Sequence, residues 1–399
     1  MPTYLVKLTP IDKFFFGQKN TFEKDNVNYF VRSSHFPQQT ALLGLLRYQL
    51  LCHADKSVFD NNKIVNSKAA KELIGEKSFS PEEPSVDNFG LIESLSPVFL
   101  MDKETGEMYL PAGLRYQEKE KEKGKYEPLH LKKEGSVVLL EDYDTKKGVY
   151  SRWISDRIQS DTIAEDDFFK EDTRVGIRKN YTGGTEDDAF FCETFYHFAN
   201  YVGGDLKEGN EGTAHSNCEK ELKKVHDYCF AFRFRAKEEV RFEKSKIVHL
   251  GGERQPFLME VTKEENTDLL PLKDFSFAKD RSLYMVLLLS DACIPSEIAK
   301  EALFAITEVK DFACLLTQTD GDRRFYNRFG KRVKGHKEVK TKDVHLTHER
   351  ELYIAGSLFY FEDYEAADKF CQRVISSHFH TIGYNYTTII EPDNKQKTR

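Results

Sequence analysis

Along the first fifty residues the apolar positions change period. Tyr4 to Leu8 alternates as a strand does, and from Pro37 to Leu51 the residues Ala41, Leu42, Leu45, Leu46 and Leu50 recur at helical spacing. Pro37 falls in the first turn of that helix, where its missing N–H costs nothing. Ser96 to Leu110 predicts a hairpin, with PVFLM and EMYLP flanking a turn at Lys103-Glu104-Thr105-Gly106. From Tyr228 the period returns to two: Phe230, Phe232 and Phe234 share one face, and Ala231, Arg233 and Arg235 the other. Ile247 to Leu250 and Phe257 to Val261 form a further strand pair around Gly251-Gly252-Glu253-Arg254. Near Ser282 a new unit begins. It reads as strand Leu283–Leu289, helix Pro295–Ala305, strand Phe312–Leu316, strand Tyr353–Phe361, helix Tyr364–Ser376 and closing strand Phe379–Ile390.

That order, βαββαβ, is the ferredoxin-like topology, and the N-terminal half reads as a second, heavily inserted copy. At 399 residues the chain exceeds what one core usually organises. The expected fold class is therefore α+β, with two ferredoxin-like (RRM-like) domains, a projecting β-hairpin and insertions. The expected boundaries are 1–270, with insertions at about 53–95 and 115–170, and 271–399. Glu118 to Lys125 is a mixed-charge stretch that cannot bury a face and reads as a flexible loop, and the tail Glu391 to Arg399 reads as disordered.

Thr173 to Phe198 joins an alternating arm to an aromatic return strand through Gly183-Gly184. A projecting hairpin with Arg174, Arg178, Lys179 and Tyr181 near its tip can grip a phosphate backbone and wedge against bases. An ordinary exposed hairpin is the competing reading. Asp161 to Asp172 holds six acids and one lysine, which suits a surface facing a basic partner protein or a plain solvated loop.

Composition narrows the classes. With 39% hydrophobic residues, 31 Phe, 19 Tyr and one Trp, the chain reads as a globular protein rich in aromatic strands. No apolar run approaches the roughly 20 residues needed to span a bilayer, and no cleavable leader precedes Tyr4, so a cytoplasmic location and no membrane partner are expected. Seven scattered cysteines argue against a disulfide framework. A net charge of −7 means that any nucleic acid must meet local patches rather than bulk attraction. Arg323 to Lys342 (a basic loop at 323–342) is the strongest patch, with nine Lys or Arg, including Arg328, Lys331 and Arg332, against Glu338 alone. The amides beginning at Gln38 and Gln39 form a second candidate, because a helix start can receive phosphate.

Catalytic motifs are sparse. Gly203-Gly204-Asp205 resembles the start of a cyclase metal turn, but Leu206 supplies no second carboxylate. His215, Cys218, His226 and Cys229 are zinc-type ligands, yet a helix between Cys218 and His226 would hold them roughly 12 Å apart. Bonds of about 2.0–2.3 Å cannot bridge that distance unless the helix breaks, so no metal is expected, and a zinc-stabilised interaction module built on these four residues stays as a third reading. No cofactor motif of the GxxxxGK[ST], GxGxxG or GxSxG type is present. His35 is a candidate general base or RNA contact. Gly251, Gly252 and Arg254 form either a close-approach loop for phosphate or a plain hairpin turn.

Several of these segments together resemble the third subunit of the Cmr complex, a RAMP protein of type III-B CRISPR-Cas effectors. They are HFPQQTALLGLLR (His35 to Arg47), TRVGIRKNYTGG with its aromatic return strand, LGGERQPF (Leu250 to Phe257, with the glycine-rich loop at 250–255) and YIAGSLFYF (Tyr353 to Phe361). The resemblance implies a non-catalytic subunit that holds the 5′ tag of the guide RNA (crRNA). The hairpin at 173–198 would be a thumb that kinks the guide, through Arg174, Gly176, Ile177, Arg178, Lys179 and Tyr181. It further implies contact with the large polymerase/cyclase-like subunit and the first backbone RAMP subunit, and with target RNA indirectly. The alternative is a metal-independent RNA-processing endonuclease of the same superfamily using His35 or a nearby His. The loop Thr185-Glu186-Asp187-Asp188 is more acidic than that resemblance implies for an RNA-facing tip.

Overall fold

The computed structural model describes residues 1–17, 30–82, 88–120, 122, 124–134, 137–157, 162–179, 185–199, 227–265, 268–317 and 344–393. The strand Thr3–Pro10 lies at the centre of the larger sheet. It pairs antiparallel with Tyr228–Ala236 on one side (Val6↔Phe232) and with Gln255–Glu264 on the other (Val6↔Val261). Ile92–Leu95 and Phe99–Asp102 lie end to end along the far edge of Tyr228–Ala236. Ser245–Leu250 closes the opposite side of the sheet as the hairpin partner of Gln255–Glu264. Segment 115–170 extends this sheet. Met108–Glu118 adds to Phe99–Asp102 and then pairs with Tyr126–Pro128 and Tyr150–Ser155.

The period-two pattern explains the layering. Tyr4, Val6, Leu8, Phe230, Phe232 and Phe234 turn to one face and pack against the helix Gln39–Cys52. Leu5, Cys229 and Ala231 turn to the other face and meet a second sheet. That sheet, in the order Phe304–Ile306, Leu358–Phe361, Tyr284–Leu288, Thr387–Ile390, is antiparallel throughout. Met285, Leu287, Leu358 and Tyr360 face the first sheet, while Val286, Leu288, Phe359 and Phe361 face the helix Tyr364–Ile375. The layers therefore run helix, sheet, sheet, helix. Because both sheet faces are covered, YMVLL and LFYF are apolar without alternation. In the smaller sheet the strands lie in the spatial order second, third, first, fourth, and Ile92–Asp102, Tyr228–Ala236, Thr3–Pro10 and Gln255–Glu264 repeat that order in the larger one, which adds Ser245–Leu250 at one edge and the strands of 108–164 at the other. Among the described residues no helix is long and apolar enough to cross a membrane.

A buried pair ties the insertion to the C-terminal half. Arg115 is 1% and Asp280 0% exposed, and Arg115 donates to the Ala278 carbonyl at 2.6 Å. Burial pushes the Asp280 carboxyl up, but His130 and the amides of Leu131, Ser282 and Leu283 outweigh it and hold the carboxyl below its usual value. The region 53–95 carries the helix Ser67–Ile74, whose first turn is capped by Asn66. Arg47 clamps that helix to the longer one by donating to the Ile74 carbonyl at 2.6 Å.

Five sequence expectations change. The helix expected over Pro295–Ala305 is a single turn, Ser296–Ala299, because Phe304–Ile306 leaves it to pair with Leu358–Tyr360. The expected strand Tyr353–Phe361 is split at a turn around Gly356, whose φ is 92°. Tyr353 ends the strand Arg350–Tyr353, which pairs with Val309–Phe312, and Leu358–Phe361 enters the C-terminal sheet. Phe312–Leu316 likewise divides, into Val309–Phe312 and Leu315–Thr317. Phe379–Ile390 begins as a tight helical turn, reverses at Gly383 with φ 94°, and is a strand only over Thr387–Ile390. Glu118–Lys125, read as a loose loop, carries a closing bond from the Lys119 amide to the Lys125 carbonyl at 2.9 Å.

Candidate nucleic-acid interface

Phe169–Lys179 and Thr185–Phe198 pair antiparallel from Phe169↔Phe198 to Ile177↔Phe190, with an irregular step before Lys179↔Thr185. The first arm thus begins four residues ahead of Thr173. Its root is core: Phe169, Phe195, Tyr196 and Phe198 are buried, and Phe14 packs among Phe16, Phe169, Phe198 and Phe230. Further out, Arg174 and Val175 are exposed, Val175 by 60%. The return arm also pairs in parallel with Phe30–Ser34 (Thr194↔Arg32), and that strand pairs with Phe16–Gly17.

Cations converge on this root. Arg174 lies 5.1 Å and Lys13 5.4 Å from the centre of the Phe195 ring. Lys13 also pairs with Asp172, and that bond holds the Asp172 carboxyl below its usual value. Arg32 pairs with Glu171, which accepts the Tyr196 hydroxyl at 3.1 Å. The acids of 161–172, read from sequence as a face for a basic partner or as solvated loop, instead include internal partners for Lys13, Arg32 and His35.

Phe15 connects the glycine loop to the hairpin. The Gly252 amide donates to the Phe15 carbonyl at 2.8 Å, and the Phe15 ring lies 5.3 Å from that of Phe195. Gly251 has φ 79°, and a Cβ there would stand 2.4 Å from the Phe15 carbonyl oxygen, so only glycine permits this approach. Arg254 itself adopts φ 51°, and the His249 Nδ1 donates to its carbonyl at 2.8 Å.

His35 sits at the hairpin root rather than in an open cleft. Its ring stacks on Phe169 at 4.6 Å, meets Tyr196 edge-on at 4.2 Å, and places Nδ1 2.5 Å from a Glu165 carboxylate oxygen. Gln38 is the half-buried N-cap of the long helix. Gln39 is a correction: it is 4% exposed and donates to the Gly383 carbonyl at 3.4 Å. Burial raises the phenol of Tyr384 well above its usual value, and the Gln39 and Thr40 amides act against that rise. The start of this helix is therefore covered by Gly383 and Tyr384, which leaves no opening there for phosphate.

The backbone of Gly176, Ile177, Arg178 and Lys179 lies in the outer part of the first arm. Tyr181, Gly183 and Gly184 lie outside the described residues, as do Gly203-Gly204-Asp205, the basic loop with Arg328, Lys331 and Arg332, and His215, Cys218 and His226. Cys229, the remaining member of the zinc-type set, is 0% exposed between the two sheets, where burial pushes its thiol up to about 12. That enclosure removes it as a ligand. Sequence reasoning missed Lys13, Phe15, Arg32 and Phe195. The signal for Phe15 was present in KFFFG, where alternation turns Phe14 and Phe16 inward and leaves the middle ring to the opposite side.

A family model described as CRISPR-associated protein (Cas_Cmr3) matches residues 6–392. No curated protein matches. Among solved structures, the chain is similar to one in the type III-B Cmr-beta complex bound to cognate target RNA and AMPPnP, with 13% identity, TM-score 0.43 and coverage of 97% of this chain and 96% of that one. A chain of the type III-B Cmr-beta complex bound to cognate target RNA gives 14% identity, TM-score 0.40 and the same coverages, 97% and 96%. Since the family match runs from the central strand of the larger sheet to beyond the closing strand of the smaller one, the chain belongs to the Cas_Cmr3 family of CRISPR-associated proteins.

Proposed function

We propose that the chain is a non-catalytic subunit of a type III-B CRISPR RNA-guided effector, binding the 5′ tag of the crRNA and using the hairpin 169–198 as a thumb that kinks the guide. The observation that carries this reading is the run Arg174, Phe195, Phe15, Gly251-Gly252, Arg254, in which a cation at each end flanks the buried Phe195 ring, the half-buried Phe15 ring resting on it, and a turn that at Gly251 only glycine permits. Single-stranded RNA is held by such phosphate contacts and ring surfaces, with no need for an acid–base pair. The two-domain reading, 1–270 and 271–399, each ferredoxin-like, is supported by the shared strand order of the two sheets. In this reading the subunit bridges the large polymerase/cyclase-like subunit to the first backbone RAMP subunit, and meets target RNA only indirectly.

Sequencing the RNA that co-purifies from the native host tests the proposal. A shared repeat-derived 5′ end is expected, and heterogeneous 5′ ends would overturn it. Incubation with precursor RNA separates it from the endonuclease reading: no discrete cut is expected, whereas a cut lost on His35→Ala would replace the scaffold by a nuclease. Since His35 is packed between Phe169 and Tyr196, His35→Ala is expected to cost about 1–2 kcal/mol of stability, measured by denaturant unfolding.

A further inference from the structure

Among the described residues other than glycine that take positive φ, Asn61, Asn62, Asp142 and Asn385 have short polar side chains that tolerate it. Arg254, at φ 51°, does not belong with them. A long side chain stays in the left-handed region only where its surroundings hold it, and here the holder stands across the hairpin: the His249 Nδ1 lies 2.8 Å from the Arg254 carbonyl oxygen. A carbonyl only accepts, so the proton is on Nδ1, and Nε2 of the neutral ring is then an acceptor. His249 is exposed, and among the described residues its ring makes no second hydrogen bond.

The ring stands on a corner of the larger sheet that the second sheet leaves open. Register sets His249 beside Pro256, and Ile247 beside Leu258 and Thr9, on the same face as Leu5 and Ala231. Leu5 and Ala231 are buried against the second sheet, whereas Ile247 is 60% exposed. Ile11, whose amide donates to the Pro256 carbonyl at 3.1 Å, is 55% exposed.

We propose that His249 accepts a hydrogen bond from a ribose 2′-hydroxyl of the strand that follows the glycine loop, and so makes this chain prefer RNA to DNA. This rests on the RNA-binding reading above and deepens it by naming the group that tells the two sugars apart. Glycine lets the main chain of the loop approach a sugar–phosphate backbone closely, and the 2′-hydroxyl is the one hydrogen-bond donor that such a backbone carries. The ring is oriented before any ligand arrives, so little ordering entropy opposes the contact. The open aliphatic corner at Ile11 and Ile247 gives the carbon side of a sugar an apolar surface beside that acceptor.

The experiment uses the full chain with a single-stranded RNA, the DNA of the same sequence, and RNAs carrying one 2′-deoxy substitution at each position in turn. Binding is measured at pH 8, so that an imidazole acts as an acceptor and not as a cation. The wild type is expected to bind RNA about fivefold more tightly than DNA, with most of that difference lost at one deoxy position, as for one hydrogen bond. His249→Ala is expected to lower RNA binding to the DNA level and leave DNA binding unchanged. Arg254→Gly, which takes the left-handed φ without a tether, is expected to weaken both and keep the preference. If His249→Ala weakens RNA and DNA alike, the ring only positions the loop and the proposal falls. It falls as well if the wild type binds both equally, or if the preference follows a base amine rather than the sugar, and in each of these cases the RNA-binding reading stands. A wild-type chain that captures no RNA brings down both.

Discussion

Replacing Arg174, Arg178 and Lys179 together by alanine is expected to weaken capture of single-stranded RNA on the order of a hundredfold at low salt, taking about 1 kcal/mol for each exposed phosphate contact. It should also flatten the dependence of log K on log salt by about 2, since each phosphate neutralised on a single strand contributes about 0.7. The argument starts from the net charge of −7, which leaves affinity to local cations. On the described surface Lys13 and Arg32 already pair with Asp172 and Glu171, whereas Arg174 is exposed over the Phe195 ring. Lys13→Ala and Arg32→Ala should therefore change the slope less than the triple substitution. An unaltered slope in the triple variant, measured by a salt titration of binding, would remove the thumb assignment. The positions lie toward the outer part of the arm, so the thermal unfolding midpoint should hardly move.

Gly251→Ala is expected to destabilise the chain by about 3 kcal/mol or more, and Gly252→Ala by about 1 kcal/mol, in denaturant unfolding. At Gly251 two costs add. The φ of 79° is strained for any residue with a Cβ, and that Cβ would stand 2.4 Å from a backbone oxygen of Phe15 that cannot move without lifting the strand beside the hairpin root. At Gly252 the added carbon meets the Phe15 ring at 2.7 Å, and a ring can turn aside. Because Phe15 also rests on Phe195, Gly251→Ala should expose the hairpin root to limited proteolysis, and Gly252→Ala should not. Equal effects from the two substitutions would show that the contact with Phe15 does not hold the loop.

Much of the candidate site was legible from residue types, and the failures share one cause. The paired arms around Thr173–Phe198, the helix beginning at Gln39 and the strand pair around Gly251 all follow from local periodicity and turn chemistry. Gln39 looked like a phosphate ligand because nothing local to it shows that Gly383 and Tyr384 cover the helix start. His35 looked like a free base because its partners, Glu165, Phe169 and Tyr196, lie far along the chain. The acids of 161–172 looked like a face for a partner, although several are paired within the same molecule.

What the amino-acid sequence alone determined is the alternation that builds each strand, the helix on which Leu42, Leu45, Leu46 and Leu50 recur, and the family to which the ordered segments belong. Only the tertiary structure decided that the two sheets share one core, that Tyr353–Phe361 must break at Gly356 to serve two sheets, and that Phe15 carries the glycine loop to the hairpin. Local periodicity records which side of a strand is apolar. It does not record which distant surface will cover that side, because that choice is made by strand order and face-to-face packing, where the free energy of burial is shared among residues far apart in the chain.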